Sequence, residues 1–272
     1  MHKIAVILSL YRNDKVDYVK LAINSILEQT YDNFDLFIIF DGPVDLDVDK
    51  YVSSIEDERV YVKKRKENKG LAFSLNELLQ EIIPKNYEFI ARMDADDISC
   101  KDRFEKQIEY LCHNHGVDVV GGAINEIDQD GKPRNKVVRY PLNNDECRIF
   151  FAKRNPIAHP TVMFRKTFFD KIKCLYPTEY IRNEDTALWL EAFKHDAKMA
   201  NLSDVVLNFR VTPAFFYQRR NGKTFAKSQL ELRKKISKEL RFGPMSLFYA
   251  YAMYLLMVSP SWLIKIAYKV FR

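Results

Sequence analysis

The chain has 272 residues, 47% of them hydrophobic, which is enough for one large α/β domain or a domain with an appendage, and a globular enzyme is the first expectation. Forty-three Lys and Arg against 37 Asp and Glu give a net charge of +6, which suits anionic ligands such as phosphates or acidic lipid and does not by itself indicate nucleic acid. Four cysteines, at 100, 112, 147 and 174, lack C-x-x-C spacing, so neither a disulfide framework nor a zinc site is expected, and the compartment reads as reducing cytosol.

The opening Met-His-Lys-Ile-Ala-Val-Ile-Leu lacks a signal-peptide h-region and cleavage site, so export is not expected. Lys3 to Leu10 is a continuous apolar run of the buried parallel-strand kind, and Val16 to Gln29 then carries apolar residues at helical spacing. Phe34 to Phe40 repeats the strand pattern and ends on the turn Asp41-Gly42-Pro43. Arg59 to Lys63 is a third strand, Lys69-Gly70 opens a helix through Gln80, and Tyr87 to Met93 is a fourth strand. This alternation predicts a doubly wound α/β sheet. Beyond it the pattern predicts a helix over Asp102–Cys112, a strand over Val117–Gly121, a turn at Asp130–Pro133, helices over Phe164–Ile172 and Asp185–Phe193, and a strand over Val205–Val211.

The last fifty residues differ in composition. Lys223 to Arg241 is a charged helix, and Met245 to Val258 is almost wholly apolar, short of the roughly 20 residues that span a bilayer. Trp262 to Arg272 mixes bulky apolar and basic residues as an interfacial helix does. Two readings stand: helices lying on a membrane, which is favoured, or an amphipathic pair docked on the protein's own core or a second copy.

Asp94-Ala-Asp96-Asp97 follows the fourth strand directly, at the edge where an open α/β sheet presents its ligand crevice. Carboxylates spaced i, i+2 clamp a hard divalent cation, which in turn neutralises phosphate oxygens, so a sugar nucleotide or nucleotide is the expected substrate. The alternative is an acidic cluster capping the helix near Asp102. Arg92 lies two residues before Asp94 and so faces the same side of the strand, where it would pair with an acid. The run Lys63-Lys64-Arg65-Lys66 has no interleaved aromatics and reads as solvated, not as a nucleic-acid platform. No Walker-type phosphate loop occurs, which weighs against the rival reading of a nucleotidyltransferase; a sugar-nucleotide-binding subunit without catalysis is the remaining one.

Taken in order, Ser9-Leu-Tyr11-Arg12, Asp41-Gly42, Asn68-Lys-Gly70, Asp94-Ala-Asp96-Asp97 and Asn183-Glu184-Asp185 resemble the motifs of family 2 inverting glycosyltransferases of the GT-A fold, of the kind that assembles bacterial O-antigen, capsule and exopolysaccharide. The resemblance implies a GT-A domain over 1–222, with a nucleotide-binding half to residue 100 and an acceptor-side half after it, and a basic, amphipathic helical tail over 223–272. It places Ser9 and Tyr11 in the nucleotide pocket, with Tyr11 on or beside the base. Asp41 would accept from the uracil ring, although an Asp before Gly-Pro is equally a turn former. Asn68 and Gly70 would lie where the backbone passes the nucleotide. Asp96 would ligate Mn²⁺ or Mg²⁺ directly, with Asp94 near the ribose or reaching the metal through water. Asp185, beside Glu184, would be the catalytic base, and His159 would face the acceptor or serve as a structural hydrogen-bonder. Arg219 and Arg220 would close over the diphosphate. Many relatives carry a histidine after the arginine that ends the last strand; here Val211 follows Arg210, which leaves the third metal ligand open. The implied partners are a UDP-sugar, a polyprenyl-diphosphate-linked glycan and, peripherally, the cytoplasmic face of the inner membrane.

Overall fold

The computed structural model describes residues 2–180, 182–212 and 223–259; Arg219, Arg220 and the Trp262–Arg272 segment lie outside the described residues. Strands β1 (Ile4–Leu10), β2 (Phe34–Phe40), β3 (Val60–Lys64) and β4 (Phe89–Met93) pair in parallel in the order β3-β2-β1-β4, with α1 (Val16–Leu27), α2 (Leu46–Ser53) and α3 (Leu71–Ile82) as crossovers. β2 is buried along its whole length and β1 nearly so, which is why both read as unbroken apolar runs. The register sets Leu10 against Phe40 and Leu8 against Met93, so Tyr11, Asp41 and Asp94 emerge along one edge of the sheet.

After β4 come the short β5 (Ile98–Ser99), α4 (Arg103–His113), β6 (Val119–Ile127), β7 (Pro133–Val138), α5 (Asn144–Phe151), β8 (Met163–Arg165), α6 (Thr167–Ile172), α7 (Glu184–Lys194) and β9 (Met199–Arg210). The sheet continues β4-β8-β6-β9-β5, with β7 beside β6. β8 runs antiparallel to both β4 and β6, so the sheet is mixed and not doubly wound throughout. The helix expected over Phe164–Ile172 is split accordingly. Val162-Met163-Phe164 is too short an apolar run to show its period, and two open strand edges capture it. β6 and β9 extend well past their expected bounds. Gly121 and Gly122 hide β6 from a propensity reading, yet a Cβ at Gly121 would lie 2.4 Å from Ile157 Cγ1 and 2.6 Å from Asn201 Oδ1.

One face of the sheet buries α1, α2 and α4 residues such as Val19, Val48 and Phe104; the other buries Leu75, Phe164, Phe168, Trp189 and, from the chain's end, Leu232, Ile236 and Leu240. The last three belong to or follow α8 (Lys223–Glu239), which therefore completes this core. α9 (Pro244–Val258) folds back along α8 through a Ser237–Ser246 hydroxyl pair and the buried Ala250, and leaves Met245, Phe248, Tyr251 and Leu255 exposed. Among the described residues no helix is long and apolar enough to cross a membrane.

Phe164 packs on Phe168, Phe169 and Trp189 at ring-centroid distances of 5.0, 5.2 and 6.1 Å. Phe164→Ala is expected to cost about 3–5 kcal/mol, read as a lower urea midpoint at unchanged slope.

Candidate active site

At the tip of β2 the Asp41 carboxylate accepts four hydrogen bonds. Oδ1 takes Arg65 Nη1 at 2.7 Å and the Lys69 amide at 2.8 Å; Oδ2 takes Asn68 Nδ2 at 3.0 Å and the Gly70 amide at 2.9 Å. A carboxylate offers about four lone-pair sites, so Asp41 is saturated by the loop it organises. Arg65 also grips Glu77 of α3 at 2.8 Å, fixing the loop to the helix that starts after Gly70. The basic run is therefore not simply solvated. Lys63 pairs with Glu77 at 2.9 Å and Lys64 with Asp49, because strand β3 sets these side chains beside the acidic faces of α3 and α2. Gly42 has φ +82°, and a Cβ there would meet the Asn68 amide nitrogen at 2.7 Å. Ser9 is half-buried at the end of β1, and Tyr11, just after it, is 40% exposed.

At the tip of β4 one carboxylate oxygen from each of Asp94, Asp96 and Asp97 lies within 4.8 Å of the others. Buried Arg92 pairs with Asp94, as the strand spacing predicts, while its Nε and Nη1 have no hydrogen-bond partner among the described residues. Arg210, at the end of β9, ties the loop down: its amide donates to Asp97 Oδ1 at 2.8 Å and its Nε to the Asp96 carbonyl at 2.8 Å. The same guanidinium reaches the Asp128 and Gln129 carbonyls and stands 4.1 Å over the Tyr18 ring. Arg103, fully buried, holds the Arg92 carbonyl at 2.9 Å from beneath. Burial, followed by the charges of Asp96 and Asp94, pushes the Asp97 carboxyl well above the usual carboxylate range. Its Oδ2 is buried with no partner among the described residues.

Asp185 sits in the first turn of α7. Its Oδ1 accepts from the Thr186 amide at 2.6 Å and its Oδ2 from Asn155 Nδ2 at 2.8 Å. Burial raises its pKa, and the bonds from Thr186 and Asn155 and the charge of Arg92 oppose the rise. Glu184 is pushed up to about 7 by burial and by Asp185. The charge of Arg92 acts on Glu184, Asp185 and Asp97, so the acidic loop and the start of α7 share one electrostatic neighbourhood. His159 begins a short 3₁₀ turn and is buried, its Nε2 2.8 Å from the Tyr176 hydroxyl and its ring edge-on to Trp189. Burial and Arg92 hold it neutral, its pKa well below the ordinary histidine value. The motif pattern gave no role to Asn155, Tyr176, Thr186 or Arg233; the apolar spacing Leu232, Ile236, Leu240 marks the buried face of α8 and its end but carries no sign of Arg233's contacts.

The family model described as Glycosyl transferase family 2 matches residues 5–173. The chain is 35% identical over 212 residues to the O-antigen biosynthesis glycosyltransferase WbnJ of Escherichia coli, covering 76% of this chain and 79% of that protein. It is 31% identical over 230 residues to the amylovoran biosynthesis glycosyltransferase AmsE of Erwinia amylovora (84% and 83%). A UDP-Gal:alpha-D-GlcNAc-diphosphoundecaprenol beta-1,3-galactosyltransferase of E. coli is 26% identical over 233 residues (84% and 81%). Among solved structures, S. aureus TarS 1-349 in complex with UDP-GlcNAc superposes with a TM-score of 0.62 at 17% identity, covering 94% of this chain and 72% of that one. The mannosyltransferase PcManGT from Pyrobaculum calidifontis, in complex with GDP-Man and Mn²⁺, does so at 0.60 and 15% (98% and 75%). The shared fold is the GT-A arrangement of a mixed sheet with flanking helices.

Two substitutions test the geometry. Gly42→Ala brings both a disfavoured φ and a backbone clash, and is expected to cost about 1–3 kcal/mol in chemical denaturation while loosening residues 65–70 to hydrogen exchange. Glu184 has a folded-state pKa above its unfolded one, so stability is lost as pH rises toward and through about 7. Glu184→Gln removes that loss, and its gain in Tm over wild type is expected to be larger at pH 8 than at pH 5.

Proposed function

The chain belongs to glycosyl transferase family 2, and from that premise we propose that it is a metal-dependent inverting hexosyltransferase, moving a hexose or N-acetylhexosamine from a UDP-sugar to a polyprenyl-diphosphate-linked glycan during surface-polysaccharide assembly. The observation that carries this reading is the convergence of three carboxylates at the tip of β4, within the reach of the same Arg92 charge as a base-competent carboxylate, Asp185, held at both oxygens on α7. TarS with UDP-GlcNAc and the E. coli galactosyltransferase with its diphosphoundecaprenol acceptor support the donor and acceptor classes.

The acidic loop fits a hard divalent cation: it offers only carboxylate oxygens, and Asp97 Oδ2 is a buried acceptor with no partner among the described residues. Asp96 and Asp94 would hold Mn²⁺ or Mg²⁺. When bound, the ion neutralises charge on the departing diphosphate. On the protein's side, Tyr11 and Ser9 border the base, and the Asp41-anchored segment of Asn68 and Gly70 lines the nucleotide's path. Asp41 acts mainly by shaping that segment, since a base N–H must share an oxygen already carrying two donors. Asp185 takes the proton of the acceptor hydroxyl as that oxygen attacks the anomeric carbon. The bond from that carbon to the diphosphate oxygen breaks on the opposite face, so configuration inverts and UDP leaves. Glu184 and His159 line the acceptor side.

We place the enzyme peripherally at the cytoplasmic face of the inner membrane. α9 is about 22 Å long and exposes Met245, Phe248, Tyr251 and Leu255, while Lys234, Lys238 and Arg241 line a groove beside it, a pairing suited to an anionic lipid surface.

UDP release measured across UDP-sugars with Mn²⁺, Mg²⁺ or EDTA tests the catalytic proposal. Turnover is expected to need the ion, and Asp96→Ala and Asp185→Asn should each lower it at least about 100-fold with an unchanged circular-dichroism spectrum. Near-wild-type turnover in Asp185→Asn would remove the assigned base, and full activity in EDTA would remove the metal. Phe248→Glu with Leu255→Glu is expected to abolish co-sedimentation with phosphatidylglycerol vesicles.

A further inference from the structure

Two side chains of α8 reach the first turn of α7. Gln229 donates to Asn183, the residue before α7, and Arg233 Nη2 donates to Asn155 Oδ1 at 3.0 Å while its Nη1 takes the Phe151 carbonyl at 2.9 Å. Asn155 is the pivot between α8 and the base. Its Nδ2 donates to Asp185 Oδ2 at 2.8 Å and lies 2.9 Å from Thr186 Oγ1, which in turn lies 3.0 Å from Asn155 Oδ1.

A primary amide has a donor end and an acceptor end of nearly the same shape, and packing alone does not choose between its two orientations. Here chemistry chooses. A guanidinium only donates, so Arg233 requires the amide oxygen on its side; an ionised carboxylate only accepts, so Asp185 requires the NH₂ on the other. Without Arg233 the amide oxygen loses its buried cationic donor. Asp185 still favours the NH₂ on its side, but the amide is then held only through Asp185 and Thr186 among the described residues, so it can swing and its hold on Oδ2 loosens. Among the described residues Thr186 would then carry most of the hold on the carboxylate plane.

From this we infer that Arg233 is a positioning residue for Asp185. By fixing the orientation of the Asn155 amide it holds the carboxylate toward the acceptor hydroxyl, and it makes α8 part of the active site. The inference rests on Asp185 being the base.

The experiment compares full-length wild type with Asp185→Asn, Arg233→Met, Arg233→Lys, Asn155→Ala and the Arg233→Met/Asn155→Ala double variant. UDP release is read from UDP-Gal and UDP-GlcNAc with undecaprenyl-diphosphate-GlcNAc, and hydrogen exchange is read over residues 183–190. Misplacing a reacting group by about 1 Å costs up to roughly 100-fold in rate. Arg233→Met should therefore lower kcat by about 10- to 100-fold with donor KM within about twofold of wild type. Arg233→Lys, still a donor-only cation, should recover part of the loss. Exchange should quicken in the first turn of α7 and stay unchanged in β1–β4. The double variant should be no slower than Asn155→Ala alone, because Arg233 acts through Asn155. Additive losses, or wild-type kcat and exchange in Arg233→Met, would overturn the inference even where Asp185→Asn is silent. Turnover in Asp185→Asn would overturn the base assignment, and the inference with it; exchange at α7, which needs no donor, would still report whether α8 orders that turn.

Discussion

Folding brings Asp94, Asp96, Asp97, Glu184 and Asp185 toward one end of the sheet, and like charges about 4 Å apart repel by roughly 4 kcal/mol at an effective dielectric constant of 20. Arg92 and Arg210 offset that repulsion from two directions. Arg92 rises from within β4 beneath Asp94, and Arg210 enters from β9 and binds the loop mainly through its backbone. Each arginine is itself anchored by main chain: the Arg92 carbonyl by Arg103, and the Arg210 guanidinium by the Asp128 and Gln129 carbonyls. The acidic loop is thus ordered by contacts that leave Asp97 Oδ2 without a partner among the described residues.

The two acidic strand tips differ in that respect. Asp41 has every acceptor site filled and behaves as a structural hub, with Arg65 and Glu77 extending its hold to α3. At Asp97 a buried oxygen has no partner among the described residues, and at Arg92 two buried N–H groups share that condition. Buried polar groups left without partners are costly, and an ordered water or ion is a common way that cost is met. Two aspartates that look alike in a motif are separated by their hydrogen-bond inventory.

The parallel half of the sheet was legible because its strands are buried on both faces and its crossovers carry clean helical stripes, as Ile4–Leu10 and Val16–Leu27 show. α2 escaped notice because only Val48 and Val52 are buried on it, too few to reveal a period. Phe164 was assigned to the wrong element because three apolar residues fit either period, and only the edges of β4 and β6 decide between them. Arg92 facing Asp94 followed from strand alternation alone. Asn155 and Arg233 did not, because their role is set by a partner dozens of residues away and no local spacing encodes it.

The completion of one core face by α8 has a bearing on biosynthesis. Leu232, Ile236 and Leu240 pack with Trp189 and Phe193, roughly 40–50 residues earlier in the chain. At elongation rates of about 5–20 residues per second, α7 and the carboxylates on it wait on the order of seconds for the helix that covers them. Until α8 is made, the core face around Trp189 lacks Leu232, Ile236 and Leu240 from its cover.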